Sequence, residues 1–96
     1  MPRYYQFKVF GYYLYFTSHC VVEAMHAHAS GVKLSESGSA KFFVKRDGDS
    51  VLTERGRLTD REVSGIREFI RMHYMEMYLL WSEFSDNGFF GDQKRQ

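Results

Sequence analysis

Cysteine and proline are nearly absent: the chain of 96 residues has one of each, Cys20 and Pro2. A lone cysteine excludes an internal disulfide and a zinc site built mainly from thiolates, and it fits a reducing compartment. Neither sign of charge dominates. Thirteen basic side chains meet twelve acidic ones for a net charge of +1, so no overall field steers the chain toward nucleic acid or anionic lipid. No run approaches the ~20 apolar residues of a membrane-spanning helix. The opening Met-Pro-Arg-Tyr-Tyr does not resemble a signal peptide. These absences predict one cytoplasmic domain over residues 1–96, with no membrane contact and a single hydrophobic core.

Aromatic side chains are what the chain has in excess. Seven Tyr, nine Phe and one Trp make up 18% of it. That is more than a core of this size uses, so some rings are expected to face solvent or a partner. Charge is also unevenly placed: residues 1–58 carry eight basic and five acidic groups, and residues 59–96 carry five and seven. A mildly basic sheet set against a mildly acidic helix is the arrangement this implies.

Hydrophobic periodicity divides the chain into a sheet over about 4–57, a helix over about 59–85 and a tail over 86–96. Tyr5, Phe7 and Val9 alternate with Gln6 and Lys8, the period of a half-buried strand. Gly11 then breaks the pattern, and residues 12–17 are aromatic on both faces, which predicts a hairpin whose second strand is central or doubly covered. In a third strand, Met25, Ala27 and Ala29 share one face and His26 and His28 the other. A polar loop is expected over 30–39. Residues 40–46 and 50–54 then flank Asp47-Gly48, a hairpin turn signal. Thr59 and Glu62 have the spacing of a capping box. Val63, Ile66, Ile70, His73, Met77, Leu80 and Phe84 recur at helical spacing, and Asn87-Gly88 is the expected stop. The fold class is therefore α+β, a small antiparallel sheet of four to five strands covered by one long C-terminal helix.

Three constellations carry chemistry. His26 and His28 lie two apart on one strand face, with backbone positions roughly 7 Å apart, so their rings can converge on one divalent metal ion. His19 folding over, or Glu23, would complete the three protein ligands of a catalytic zinc site, and either imidazole of the pair could serve as a general acid or base. The bland alternative is a solvated face or hydrogen bonds to nearby backbone. Lys41, Phe43, Lys45 and Arg46, joined by Arg55 and Arg57, could bind a nucleotide or nucleic acid by stacking and phosphate contact. The alternative there is an ordinary solvated face with Phe43 covered by the N-terminal strand or a partner. On the helix, Met72, Met75 and Leu79, with Tyr78 alongside, form a second apolar stripe. It would be buried by a homo-oligomer, by a cognate small protein, or by Phe89, Phe90 and the tail folding back. His73, within the core stripe, is expected to be buried.

Four short motifs occur in a fixed order: Tyr15-Phe16-Thr17-Ser18-His19, Met25-His26-Ala27-His28-Ala29, Ala40-Lys41-Phe42 and Trp81-Ser82-Glu83-Phe84. This order, over roughly residues 12–85, resembles a family of small bacterial proteins called domain of unknown function forty-one-sixty. The chain departs from that pattern at Val21-Val22-Glu23-Ala24, where the family often has prolines, and in a longer loop over 30–39. The resemblance implies a toxin–antitoxin-like or mobile-element module, acting through a protein partner, with nucleic acid as a second candidate partner, His26, His28 and Lys41 as the functional positions and Trp81 as a core anchor. It implies no particular chemistry. A metal-dependent nuclease or hydrolase using His19, His26 and His28, and an oligomer that sequesters nucleotides between aromatic faces, are the competing expectations.

Overall fold

The computed structural model describes residues 2–31 and 38–92. Its elements run β1 (Tyr13–Tyr15), a 3₁₀ turn (Cys20–Val22), β2 (His26–Ser30), β3 (Ala40–Val44), β4 (Ser50–Glu54) and α1 (Asp60–Ser82). The four strands make one antiparallel sheet in chain order, and α1 covers it, which is the α+β architecture expected. Most of the expected loop over 30–39, and the end of the tail, fall outside the described residues.

Two local signals act as expected. Between β3 and β4, the Lys45 N–H donates to the Asp49 carbonyl at 2.8 Å and the Gly48 N–H to the Lys45 carbonyl at 2.9 Å. Gly48 has a φ of +89°, and a Cβ there would lie 2.7 Å from the Tyr74 ring, so both backbone and packing require glycine. At the start of α1 the Glu62 N–H donates to Thr59 Oγ1 at 3.2 Å and the Thr59 N–H to Glu62 Oε1 at 2.9 Å, a complete capping box.

Strand register separates the faces. Leu14, Ala29 and Ala40 lie abreast, as do Ala27, Phe42 and Leu52. Against that apolar face α1 buries Val63, Ile66, Ile70, Met77 and Trp81. Each such large side chain taken fully from water contributes about 1.5–3 kcal/mol to holding the helix on the sheet.

The structure departs from expectation in four places. Residues 4–10 do not form a strand: pairing is limited to isolated bridges, Arg3 with Tyr15 and Val9 with Tyr12. The alternation of Tyr5 and Phe7 is overridden because both rings turn to the helix, where the Tyr5 ring meets the Phe69 edge at 5.2 Å and the Phe7 ring lies 6.3 Å from Phe69. As a result β1 is an edge strand, although Leu14, Tyr15 and Phe16 are all buried, so it is doubly covered without being central. The helix stops at Ser82, short of 85, because the chain is pulled back across the sheet. Ser85 Oγ and Asn87 Nδ2 donate to the Val21 carbonyl at 2.6 and 3.0 Å, and Trp81 Nε1 donates to the Asn87 carbonyl at 2.7 Å. His73 is not buried; its side chain is 36% exposed, stacked on Phe69 and 3.1 Å from Glu76 Oε1.

Candidate metal centre

Alternating with that apolar row, the sheet presents Tyr15, His28 and Lys41 abreast, and beside them His26 and Phe43. A face of this composition would ordinarily be wet. Here the connection from β1 to β2 closes over it through the 3₁₀ turn, and His26 and His28 are 0% and 2% exposed. Cys20, carried on that turn, is also 2% exposed, and ligand atoms of Cys20, His26 and His28 all lie within 4.8 Å of one another. These three side chains form a group able to hold a metal ion.

The outer contact of His26 fixes its tautomer. His26 Nδ1 lies 2.8 Å from the Ala24 carbonyl oxygen, an acceptor only, so Nδ1 carries the proton and donates. Its Nε2 is then a bare lone pair, buried and without a hydrogen-bond partner. His28 Nδ1 lies 2.9 Å from Ser39 Oγ, which supports the ring; when this nitrogen donates to the hydroxyl, Nε2 is the lone-pair side. Ligating histidines are commonly held this way, the far nitrogen fixed by a carbonyl or hydroxyl. Cys20 Sγ accepts from the Thr17 N–H at 3.3 Å and lies 3.3 Å from Thr17 Oγ1.

Electrostatics reinforce a neutral His26. Burial pushes its pKa down to about 4, opposed by the hydrogen bond to Ala24 and assisted by His28 and Lys41. The nearby carboxylate is already committed: Lys41 Nζ donates to Glu23 Oε1 at 2.6 Å and to Oε2 at 3.3 Å, and this bond holds the Glu23 pKa below its usual range. Glu23 approaches His26 only at Nδ1, at 3.9 Å, the side turned away from the group. The wall is aromatic. The Tyr15 ring stacks on His28 at 5.7 Å, and Phe43 and Trp81 stand 5.1 and 5.5 Å from the His26 ring.

His26 and His28 are thus brought together as the sequence suggested. His19 is not with them; it is exposed at the N-cap of the 3₁₀ turn, and its neighbour Cys20 takes the third place. The signal for Cys20 was a thiol six residues before a His-x-His strand. Of the basic patch, Lys41 is tied to Glu23, Arg46 pairs with Asp92 at 2.7 Å, and Arg55 pairs with Asp60 at 2.7 Å. Lys45 is partly buried and bridges to Phe90 through its backbone. The Phe43 ring, the expected stacking platform, is covered by Phe90 at 4.6 Å. On the helix, Phe89 folds back onto Tyr78 at 4.4 Å, yet Met72, Met75 and Leu79 stay 70%, 54% and 65% exposed. No described helix is long and apolar enough to cross a membrane.

Comparison with protein families, with curated proteins and with solved structures finds no match.

Proposed function

We propose that this chain is a metal-binding module in which Cys20 Sγ, His26 Nε2 and His28 Nε2 hold one transition-metal ion. The supporting observation is the convergence of three buried donors from two separate segments, with the imidazoles already oriented through Ala24 and Ser39. A bound ion would clamp the β1–β2 connection to the sheet, so that metal affinity becomes folding free energy. Burial argues for a closed site and against the hydrolase alternative, because catalytic metals keep a position open to water and substrate.

Lys41, Arg46 and Phe43 are occupied by Glu23, Asp92 and Phe90, which weakens the nucleotide and nucleic-acid readings. A toxin–antitoxin-like role, with a homo-oligomeric or cognate small-protein partner, rests on the family resemblance and is compatible with a metal-locked fold. The test is elemental analysis and native mass spectrometry of untagged protein purified without chelator, repeated on Cys20→Ser. One ion per chain, lost in the variant and accompanied by a lower melting temperature, is expected. Folded wild-type protein that takes up no added zinc or copper would sink the reading.

A further inference from the structure

Resting on that reading, we infer that the site is selective for monovalent copper, held in a three-coordinate, charge-neutral complex. Donor count comes first. Among the described residues the metal-ligand group contains Cys20, His26 and His28 and nothing more. A structural zinc ion takes four protein ligands. The carboxylate that would supply the fourth is Glu23, and Lys41 grips both of its oxygens on the far side of the His26 ring. Thr17 Oγ1, 3.3 Å from the cysteine sulfur, is a neutral hydroxyl and a poor zinc ligand. A thiolate with two imidazoles, by contrast, is a complete set for Cu(I), which soft sulfur selects.

Charge decides more firmly. One thiolate with Cu(I) and two neutral imidazoles sums to zero, whereas the same donors around Zn(II) leave a net positive charge. That charge would sit beside side chains 0–2% exposed, walled by Tyr15, Phe43 and Trp81. The nearest anion, Glu23, is neutralised by Lys41 at 2.6 Å. An uncompensated buried charge is costly enough to lower affinity on the order of a thousandfold. The bound ion is kept away from solvent by the same enclosure.

The experiment is a pair of anaerobic titrations of the apoprotein, Cu(I) against bicinchoninate and Zn(II) against a chromophoric chelator, on wild type and Cys20→Ser. X-ray absorption of the copper form would report coordination number. Expected are one Cu(I) per chain, three-coordinate, bound on the order of a thousandfold more tightly than Zn(II), and loss of that preference in Cys20→Ser. Zinc bound as tightly as Cu(I), or a four-coordinate copper centre, overturns the selectivity and leaves the metal reading standing. Failure of both ions to bind overturns both. If Cys20→Ser does not fold, Ser39→Ala, which keeps all three donors, serves instead and must retain the preference for Cu(I) at reduced affinity.

Discussion

His26 donates from Nδ1 to the Ala24 carbonyl oxygen at 2.8 Å, two residues earlier in the same chain. That single contact fixes the tautomer and lets a neutral histidine sit in the interior with its Nδ1–H satisfied. It ties a local backbone feature, the approach to β2, directly to the chemistry of the site.

The corresponding contact on His28 is less rigid, since a serine hydroxyl rotates. Ser39→Ala should weaken metal binding roughly 10–100-fold, the usual effect of removing such a support, while leaving the fold intact. Competition titration with the circular dichroism spectrum as control checks it. Unchanged affinity would mean that packing against Tyr15 alone orients the ring.

Acid should destabilise the apoprotein well before its carboxylates are titrated. The folded-state pKa of His26 is about 4, against an ordinary value near 6.5. Above pH ~6.5 both states hold a neutral imidazole and stability is at its full value. As pH falls, the unfolded chain binds a proton that the folded chain refuses, so stability drops through the window from about 6.5 to about 4 and then levels off. The whole fall is about 3 kcal/mol. Glu23, Asp49, Glu62 and Glu76 have pKa values below the usual carboxylate range, so their losses come at lower pH. Urea midpoints measured every half unit should show this slope in wild type and its absence in His26→Gln.

Much of this was legible because it is local. Thr59 and Glu62 announce the start of α1, Asp47-Gly48 the β3–β4 turn, and the alternation from Met25 to Ala29 assigns the two faces of β2. What could not be read depends on contacts between distant segments. Tyr5 and Phe7 look like strand residues until Phe69 and His73 supply a better place for their rings. Cys20 joins the histidines only because the 3₁₀ turn crosses over the sheet, and that crossing is held by Val21, Ser85 and Asn87, up to 66 residues apart. His19, one residue away, points elsewhere; adjacency in sequence carries no information about which of the two enters the site.

Trp81 links that clamp to the core. Its ring packs against Phe16 at 5.0 Å and His26 at 5.5 Å, and its Nε1–H satisfies the Asn87 carbonyl. Trp81→Phe keeps an aromatic ring but leaves the carbonyl without its donor, at about 1–3 kcal/mol. Because Asn87 also anchors Val21, beside Cys20, the variant should lose metal affinity as well as stability. Chemical denaturation and copper competition on the same sample would separate a purely structural effect, in which affinity is unchanged.

The two-residue turn at Phe10-Gly11 sets two effects against each other. Phe10 has a φ of 52° and Gly11 of 87°, the left-handed pair that a tight hairpin turn requires, with Val9 and Tyr12 bonded across it. Phenylalanine is a poor occupant of that conformation, and the strain is of order 1–3 kcal/mol. The Phe10 ring lies flat on Gly65 of α1, where a Cβ would approach its atoms to 2.4–2.6 Å, yet the ring is 53% exposed. Glycine inside a helix costs about 1 kcal/mol relative to alanine. Gly65→Ala alone should be close to neutral, because the helix gain is offset by displacing the ring. Phe10→Asn relieves the turn strain and removes that obstacle, so the double variant should be more stable than the sum of the two singles, by about 1 kcal/mol. A double-mutant cycle on denaturation midpoints measures the coupling directly, and strict additivity would show that the ring on Gly65 does not restrain the helix.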